Sequence, residues 1–285
     1  MMFELENENI KYAVIGDPVA HSVSPAMQNA AFMAAGMDER YGKYHVKPDE
    51  LPEFVEFARR NLYGFNATVP HKAALIPLLD EIAPAALAAN SVNTVIVRNG
   101  RLYGESTDGY GLEAALFEAF KLNIANARIV MLGAGGAAQA TAFEFVQRKA
   151  AKLTIVNRTK SKAEILAEQL AGKETQLTAL GNDETDKILS AVSDADVVIQ
   201  ATSAGLRIDD APPVELELLK NAKAVFDMIY HATKVQDFAR KNNIPCADGR
   251  AMLLHQGARS LEIWTGKKAP VEVMRSALEN TLTAG

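Results

Sequence analysis

The sequence predicts two α/β domains in a chain of 285 residues. The chain is longer than a typical single domain, and its 48% hydrophobic content is enough for a substantial core. Short runs rich in Val, Ile and aromatics also alternate with stretches of helical period, in two separate series.

In the first series the strand-like runs are residues 12–15, 41–46, 64–69 and 92–97, and their alternation with helical stretches predicts parallel strands. A helix follows the first run: Ser24 suits its cap, Pro25 its first turn and Gly36 its end, with Met27, Ala30, Ala31 and Ala34 on one face. Ser22 and Ser24 are thereby placed at its N-terminus. The third run continues as Asn66-Ala67-Thr68-Val69-Pro70-His71-Lys72, an extended segment whose alternate residues Asn66, Thr68 and Pro70 share a face before a helix begins near Pro70. Lys72 then falls in the first helical turn, where the macrodipole disfavours a cation, a placement that suits a lysine poised to exchange a proton. Standing alone it would read as an ordinary surface lysine. Asn93-Thr94 lies at a strand end, either structural or at the sheet edge where ligands gather. Residues 101–104 are strand-like and lead into Ser106-Thr107-Asp108-Gly109, which puts Asp108 at the junction of the two series, as a helix cap or as a partner for Lys72. Such a pair lets lysine act as general acid in reduction of a ketone and general base in the reverse oxidation. Residues 111–122 read as an amphipathic connector helix, with Leu112, Ala115, Leu116 and Ala119 on one face.

The second series has runs at 128–132, 153–156, 197–201 and 224–228. The first leads directly into Gly133-Ala134-Gly135-Gly136-Ala137-Ala138 and then a helix over 139–147, the strand, loop and helix order of a dinucleotide site. Gly133 permits the tight turn, Gly135 lets backbone approach a pyrophosphate, Ala138 allows close packing, and free amides at the helix start bind phosphate. The next strand ends in Asn157-Arg158-Thr159-Lys160-Ser161-Lys162, with no acid for the ribose hydroxyls of NAD. Arg158 and Lys162 supply positive charge for a 2′-phosphate instead, which favours NADP. The bland readings are a connecting glycine turn and a solvated basic turn.

Composition narrows the partners. The net charge of -5 comes from dispersed residues without a basic stripe, so nucleic acid is not expected. The N-terminal stretch is acidic and no apolar run approaches the roughly 20 residues of a membrane span, which reads as a cytoplasmic protein without a membrane partner. Cys246 is the only cysteine, so no internal disulfide and no metal site are expected, and the thiol reads as buried and inert.

Together these motifs resemble the shikimate dehydrogenase family over residues 12 to 256. Ser22-Val23-Ser24 matches the family's SxS, residues 66–72 its NxTxPxK, Asn93-Thr94 its asparagine-threonine strand end and Thr107-Asp108-Gly109 its TDG. The resemblance implies a discontinuous substrate and catalytic domain (1–108 and 249–285), a Rossmann-type NADP-binding domain (109–248) and an active site in the cleft between. The implied reaction is reversible NADPH-dependent reduction of 3-dehydroshikimate to shikimate, on the route to chorismate and the aromatic amino acids, with Lys72 and Asp108 catalytic. By the same resemblance Ser22, Ser24, Asn66, Thr68, Lys72, Asn93, Asp108 and Gln256 hold the substrate, joined by Tyr230 from the cofactor side. Cofactor contacts carry over to Gly133, Ala134, Gly135, Gly136, Ala137, Asn157, Arg158, Thr159, Lys162, Thr202, Met228 and Gly249. The assembly expected is a monomer or homodimer.

The chain also departs from the family. Where the family reads YNPxxT, this chain has Tyr230-His231-Ala232-Thr233-Lys234, and loss of the proline is expected to free the backbone around Ala232. Arg250-Ala251 likewise replaces the usual residues beside Gly249. Rival readings are a dual quinate and shikimate dehydrogenase and a non-catalytic sensor of the same ligand. Retention of both Lys72 and Asp108 argues against the sensor. A folate or tRNA-linked dehydrogenase would leave the SxS and NxTxPxK matches unexplained.

Overall fold

The computed structural model describes residues 3–5, 7–172, 174–207 and 209–284. The chain divides into two compact units, one running to Gly111 and resuming at Leu254, the other Leu112–Leu253.

The first unit begins with strands β1 (Ile10–Gly16), β2 (Arg40–His45), β3 (Gly64–Ala67), β4 (Glu81–Ile82), β5 (Thr94–Arg98) and β6 (Arg101–Glu105), and helices α1 (Ser24–Ala34), α2 (Leu51–Asn61), α3 (His71–Ala74) and α4 (Pro84–Ala88). The sheet order is β2-β1-β3-β5-β6-β4. The predicted parallel arrangement holds for β1, β2 and β3, whereas β5 runs antiparallel to both β3 and β6, so the sheet is mixed. The reason is local. Asn99 and Gly100 sit between β5 and β6 with φ of 52° and 74°, the two positive dihedrals that a two-residue hairpin turn demands. Asn-Gly between two strand-like runs is a hairpin signal, and in the folded chain it prevails over the alternation of elements.

One face of this sheet packs on α2 through Phe54, Phe57, Phe65, Val95 and Leu102, all buried. Helix α1 differs from its predicted form in two respects. Val23 precedes it in helical geometry and no side chain caps it, so Ser24 is its first residue and not its cap. Its buried stripe is Met27, Gln28, Ala31 and Phe32, with Ala34 exposed. Phe32 takes the inward position by packing on Tyr12, ring centroids 5.0 Å apart, and Gln28 is held inside by its Nε2, which donates to the Gly257 carbonyl at 2.9 Å, while its Oε1 has no partner among the described residues.

Helix α5 (Asp108–Phe120) carries the chain onward. Leu112, Ala115 and Leu116 are buried on it as predicted, and Ala119 is exposed. The second unit holds β7 (Arg128–Leu132), β8 (Lys152–Asn157), β9 (Gln176–Gly181), β10 (Val197–Gln200), β11 (Val225–Asp227) and β12 (Cys246–Ala247), with α6 (Gly136–Gln147), α7 (Lys160–Leu170), α8 (Thr185–Asp194) and α9 (Lys234–Lys241). Its order is β12-β11-β10-β7-β8-β9, every pairing parallel. This is a doubly wound sheet whose direction of winding reverses between β7 and β10. Ile129 and Met131 enter one core while Val130 and Leu132 enter the other. Burial on both faces explains an unbroken apolar strand, each such side chain contributing roughly 1.5–3 kcal/mol.

The chain ends with α10 (Arg250–Thr265) and α11 (Val271–Ala284). On α10, Trp264 donates its indole N–H to the Val95 carbonyl at 3.0 Å and lies 4.9 Å from the Tyr12 ring, which fixes the helix to the first sheet.

Candidate active site

In the first unit the C-terminal ends of β1, β3 and β6 and the beginning of the antiparallel β5 lie along one sheet edge. Residues distant in sequence therefore gather there. Thr68 follows β3, its amide donating to Ile15 O at 2.9 Å. Lys72 lies in α3, a single turn, and its carbonyl accepts from Val92 N at 2.9 Å. So short a helix has little macrodipole, and the charge that dominates at Lys72 is Asp108. Lys72 Nζ donates to Asp108 Oδ2 at 2.6 Å, both side chains being partly exposed.

Asn93 fixes that pair. Its Nδ2 donates to Asp108 Oδ1 at 2.9 Å, to Thr107 Oγ1 at 3.0 Å and, longer, to Gln256 Oε1 at 3.3 Å, while its Oδ1 accepts from Thr107 N at 2.8 Å. Beneath it Asn66, only 7% exposed, donates through Nδ2 to Asn93 O, Thr94 Oγ1 and Ser260 Oγ, each at 3.0 Å, and accepts from Tyr41 OH at 2.7 Å. Its carboxamide is taken up at both ends within the protein. Burial pushes the Tyr41 phenol well above its ordinary range, which keeps it a neutral donor. Ser260 adds a 2.8 Å contact to Thr94 Oγ1. Tyr41 and Ser260 were not anticipated from sequence; the one available signal is that Ser260 lies four residues beyond Gln256 on the same helix face.

Three hydroxyls at this edge are less committed. Ser22 Oγ accepts only a 3.4 Å contact from Ser24 N, and those of Ser24 and Thr68 have no hydrogen-bond partner among the described residues. All three residues are half-buried.

In the second unit the predicted cofactor residues also collect at the C-terminal edge of the sheet, around the β7 and β10 reversal. Gly133 has φ +118°, and a side chain there would meet Thr202 Cγ2 and the Ala201 backbone. Gly135 and Gly136 differ, since an added Cβ at either would meet no protein atom within 4 Å. Glycine there serves no internal packing. It leaves bare backbone at the N-terminus of the 12-residue α6, where helix amides lack intrahelical partners, which fits a pyrophosphate. Ala134 and Ala138 are buried, and Ala137 is exposed beside the glycines.

After β8, Asn157 Nδ2 donates to Thr159 O at 2.9 Å and shapes the loop. Arg158, Thr159 and Lys162 are exposed, and neither cation makes a hydrogen bond or ion pair among the described residues. Lys160 is different: Glu184 holds it at 2.9 Å, and hydrogen bonds from Lys187, Gly181 N and Lys160 bring the Glu184 carboxyl down to about 2. Thr202 Oγ1 donates to Gln200 Oε1 at 2.8 Å, and Met228 Sδ accepts from Thr141 Oγ1 at 3.8 Å. A Cβ on Gly249 would run into the Met228 carbonyl. Asp248 grips Arg250 through Nε and Nη2 at 2.8–3.0 Å, so the departure at 250 caps α10 with an ion pair. Tyr230 is 36% exposed in the turn after β11. Cys246 is half-buried, and burial pushes its thiol up to about 11, leaving it inert near neutrality. Among the described residues no acidic, histidine and cysteine cluster could hold a metal.

One edge carries bare amides and free cations, groups suited to phosphates; the other offers a fixed lysine-carboxylate pair among neutral hydrogen-bonding groups. A protein equipped for both is an NADP-dependent oxidoreductase acting on an alcohol or its ketone. Family models match the chain as the shikimate dehydrogenase substrate binding domain over residues 14–95, shikimate / quinate 5-dehydrogenase over 115–235 and the shikimate 5'-dehydrogenase C-terminal domain over 249–279. A shikimate dehydrogenase (NADP(+)) of Symbiobacterium thermophilum is 40% identical over 270 residues, 93% of this chain and 92% of that one. Among solved structures, shikimate 5-dehydrogenase from Thermus thermophilus in complex with NADP(H) and shikimate superposes with a TM-score of 0.84 at 30% identity, covering 95% and 99% of the two chains. The 5-ketofructose reductase of a Gluconobacter strain gives 0.83 at 35% identity, covering 95% and 98%. The chain belongs to the shikimate dehydrogenase family.

Proposed function

We propose that this chain reduces 3-dehydroshikimate to shikimate with NADPH, reversibly. The observation that carries the reading is the 2.6 Å contact between Lys72 Nζ and Asp108 Oδ2, fixed from behind by Asn93. Bound NADPH supplies the hydride. Lys72 gives the proton that turns the ring ketone oxygen into a hydroxyl and takes it back in the oxidative direction. Asp108 holds the ammonium with one oxygen and is itself held by Asn93 through the other.

Ser22, Ser24 and Thr68 supply hydroxyls for the ring acid, Asn93 and Gln256 pair with its hydroxyl groups, and Tyr230 adds a phenol. Asn66 joins them through its Oδ1, which accepts from Tyr41 alone, while its Nδ2 holds Asn93 O, Thr94 and Ser260 in place. A substrate lacking a hydroxyl would strand these polar groups, the strongest route to selectivity available to a neutral site. For the cofactor, Gly133, Ala134, Gly135, Gly136 and Ala137 take the pyrophosphate, Asn157, Arg158, Thr159 and Lys162 the adenosine 2′-phosphate, and Thr202, Met228 and Gly249 the nicotinamide end. No described helix is long and apolar enough to cross a membrane. A cytoplasmic monomer or homodimer completes the proposal, checked by cell fractionation and light scattering.

Initial rates of nicotinamide reduction with shikimate and quinate, each under NADP and NAD, test the reading. A strong preference for shikimate with NADP is expected. Comparable quinate rates would make the enzyme dual, and preferential NADPH oxidation by 5-ketofructose would replace the substrate altogether.

A further inference from the structure

The turn between β11 and α9 lacks the proline that the family resemblance leads one to expect, yet its backbone is tied down on both sides of Tyr230. Gln236, 1% exposed on α9, donates through Nε2 to Ile229 O at 3.0 Å and to His231 O at 2.9 Å. Its Oε1 accepts from Arg240 Nη2 at 3.1 Å, one helical turn along. Because a guanidinium only donates, Arg240 sets which end of the amide faces the turn. A second tie closes the loop. Thr233, the N-cap of α9, accepts from Gln236 N at 3.2 Å and donates to Asp227 Oδ2 at 2.6 Å, and Asp227 Oδ1 accepts from Ile229 N at 3.0 Å. The carbonyls of the residues on either side of Tyr230 are thus held by one buried carboxamide while its ring stays accessible.

We propose that Gln236 is a positioning residue for the reaction: its amide straddles Tyr230 and presets the phenol that meets the substrate, doing with hydrogen bonds what a proline ring would do covalently. The inference rests on the assignment of Tyr230 to the substrate. A turn ordered before binding removes an entropic penalty at the moment of binding, so the clamp acts on substrate affinity more than on turnover.

The test uses Gln236→Leu, close in volume and apolar, which a buried site accepts while His231 O loses its donor and Ile229 O keeps only the 3.4 Å contact from Gly249 N. Amide exchange over residues 228–233 is expected to quicken locally, and KM for the ring acid to rise roughly threefold to tenfold, as loss of one or two net hydrogen bonds gives, with kcat little changed. Adding Ala232→Pro should return both readouts toward the parent, since Ala232 N makes no hydrogen bond among the described residues and a ring there sacrifices none. Tyr230→Phe is measured alongside. If Tyr230→Phe raises KM and Gln236→Leu changes neither KM nor exchange, the clamp is refuted. Faster exchange throughout the second unit with KM unmoved would reduce Gln236 to a structural role, which also overturns the proposal. A silent Tyr230→Phe removes the tyrosine from the substrate, and the exchange data then judge the clamp alone.

Discussion

The two sheet edges are built in opposite ways. At the edge of the first sheet, Tyr41, Asn66, Asn93, Thr94, Thr107, Gln256 and Ser260 form one continuous hydrogen-bonded group around a single ion pair. At the edge of the second, backbone amides stand bare and Arg158 and Lys162 are uncommitted. A connected, buried group is preorganised, and damage to one member propagates to its neighbours. Independent exposed groups contribute separately, and their contribution weakens with salt. The arrangement suits the proposed ligands: a ring acid distinguished by the placement of a few hydroxyls needs fixed geometry, whereas a dinucleotide carrying several phosphates can be caught by charge and backbone.

The sharpest break in that contrast is Lys72→Ala. Loss of a general acid-base group is worth about 10²–10⁴ in kcat, and KM for the acid should move far less. Combining it with Asp108→Asn should add little beyond the single change, because the two residues act as a unit. Near-additive losses in a steady-state double-mutant cycle would mean that the edge is not coupled.

Arg158→Ala comes next. It should raise KM for NADP by roughly 10- to 100-fold, the worth of a charge-assisted hydrogen bond to phosphate, and leave KM for NAD almost unchanged. Adding Lys162→Ala should be close to additive, with both effects shrinking at high salt. Equal losses for the two cofactors would remove Arg158 from the 2′-phosphate.

Ser260→Ala probes the buried side of the first edge. Leaving its partners short of a hydrogen bond should lower stability by about 1–3 kcal/mol in denaturant unfolding and raise KM for the acid a few-fold. A stability change without any change in KM would separate the deeper layer from recognition.

The smallest expected effect is on acid stability in the second unit. Burial works against ionisation of Asp196, but hydrogen bonds from the Arg128 side chain and amide and from Lys223 outweigh it and hold the carboxyl at about 2 instead of 3.8. A carboxyl depressed on folding contributes fully above its unfolded value and loses that contribution as pH falls from near 3.8 toward about 2. Asp196→Asn should flatten the stability profile in that window, measured as Tm against pH.

What the sequence disclosed was local. The β7 run, its glycine turn and the basic end of β8 are contiguous, and Thr107-Asp108 and residues 66–72 are short enough to read as units. Strand β9 escaped because it is an edge strand that is only half buried and carries Gln176 and Thr178 among its apolar residues; β12 escaped because it is two residues long. The hairpin at Asn99-Gly100 was legible but outweighed by the alternation of elements. The spacing of Ser260 from Gln256 marks a shared helix face but not its partner Thr94, 166 positions away, and the internal partners of the Asn66 amide were equally hidden, because pattern reports residue type and not how many partners a side chain already has.

The chain carries one tryptophan, and it sits against Val95 and Tyr12 in the first unit. Its emission is therefore a local reporter that sees the mixed sheet and α10 come apart and is blind to the melting of the doubly wound sheet. Circular dichroism, which sums the helices of both units, supplies the missing half. Two unfolding curves recorded on one sample, by fluorescence and by dichroism, will coincide only if the two units lose their structure in a single cooperative step.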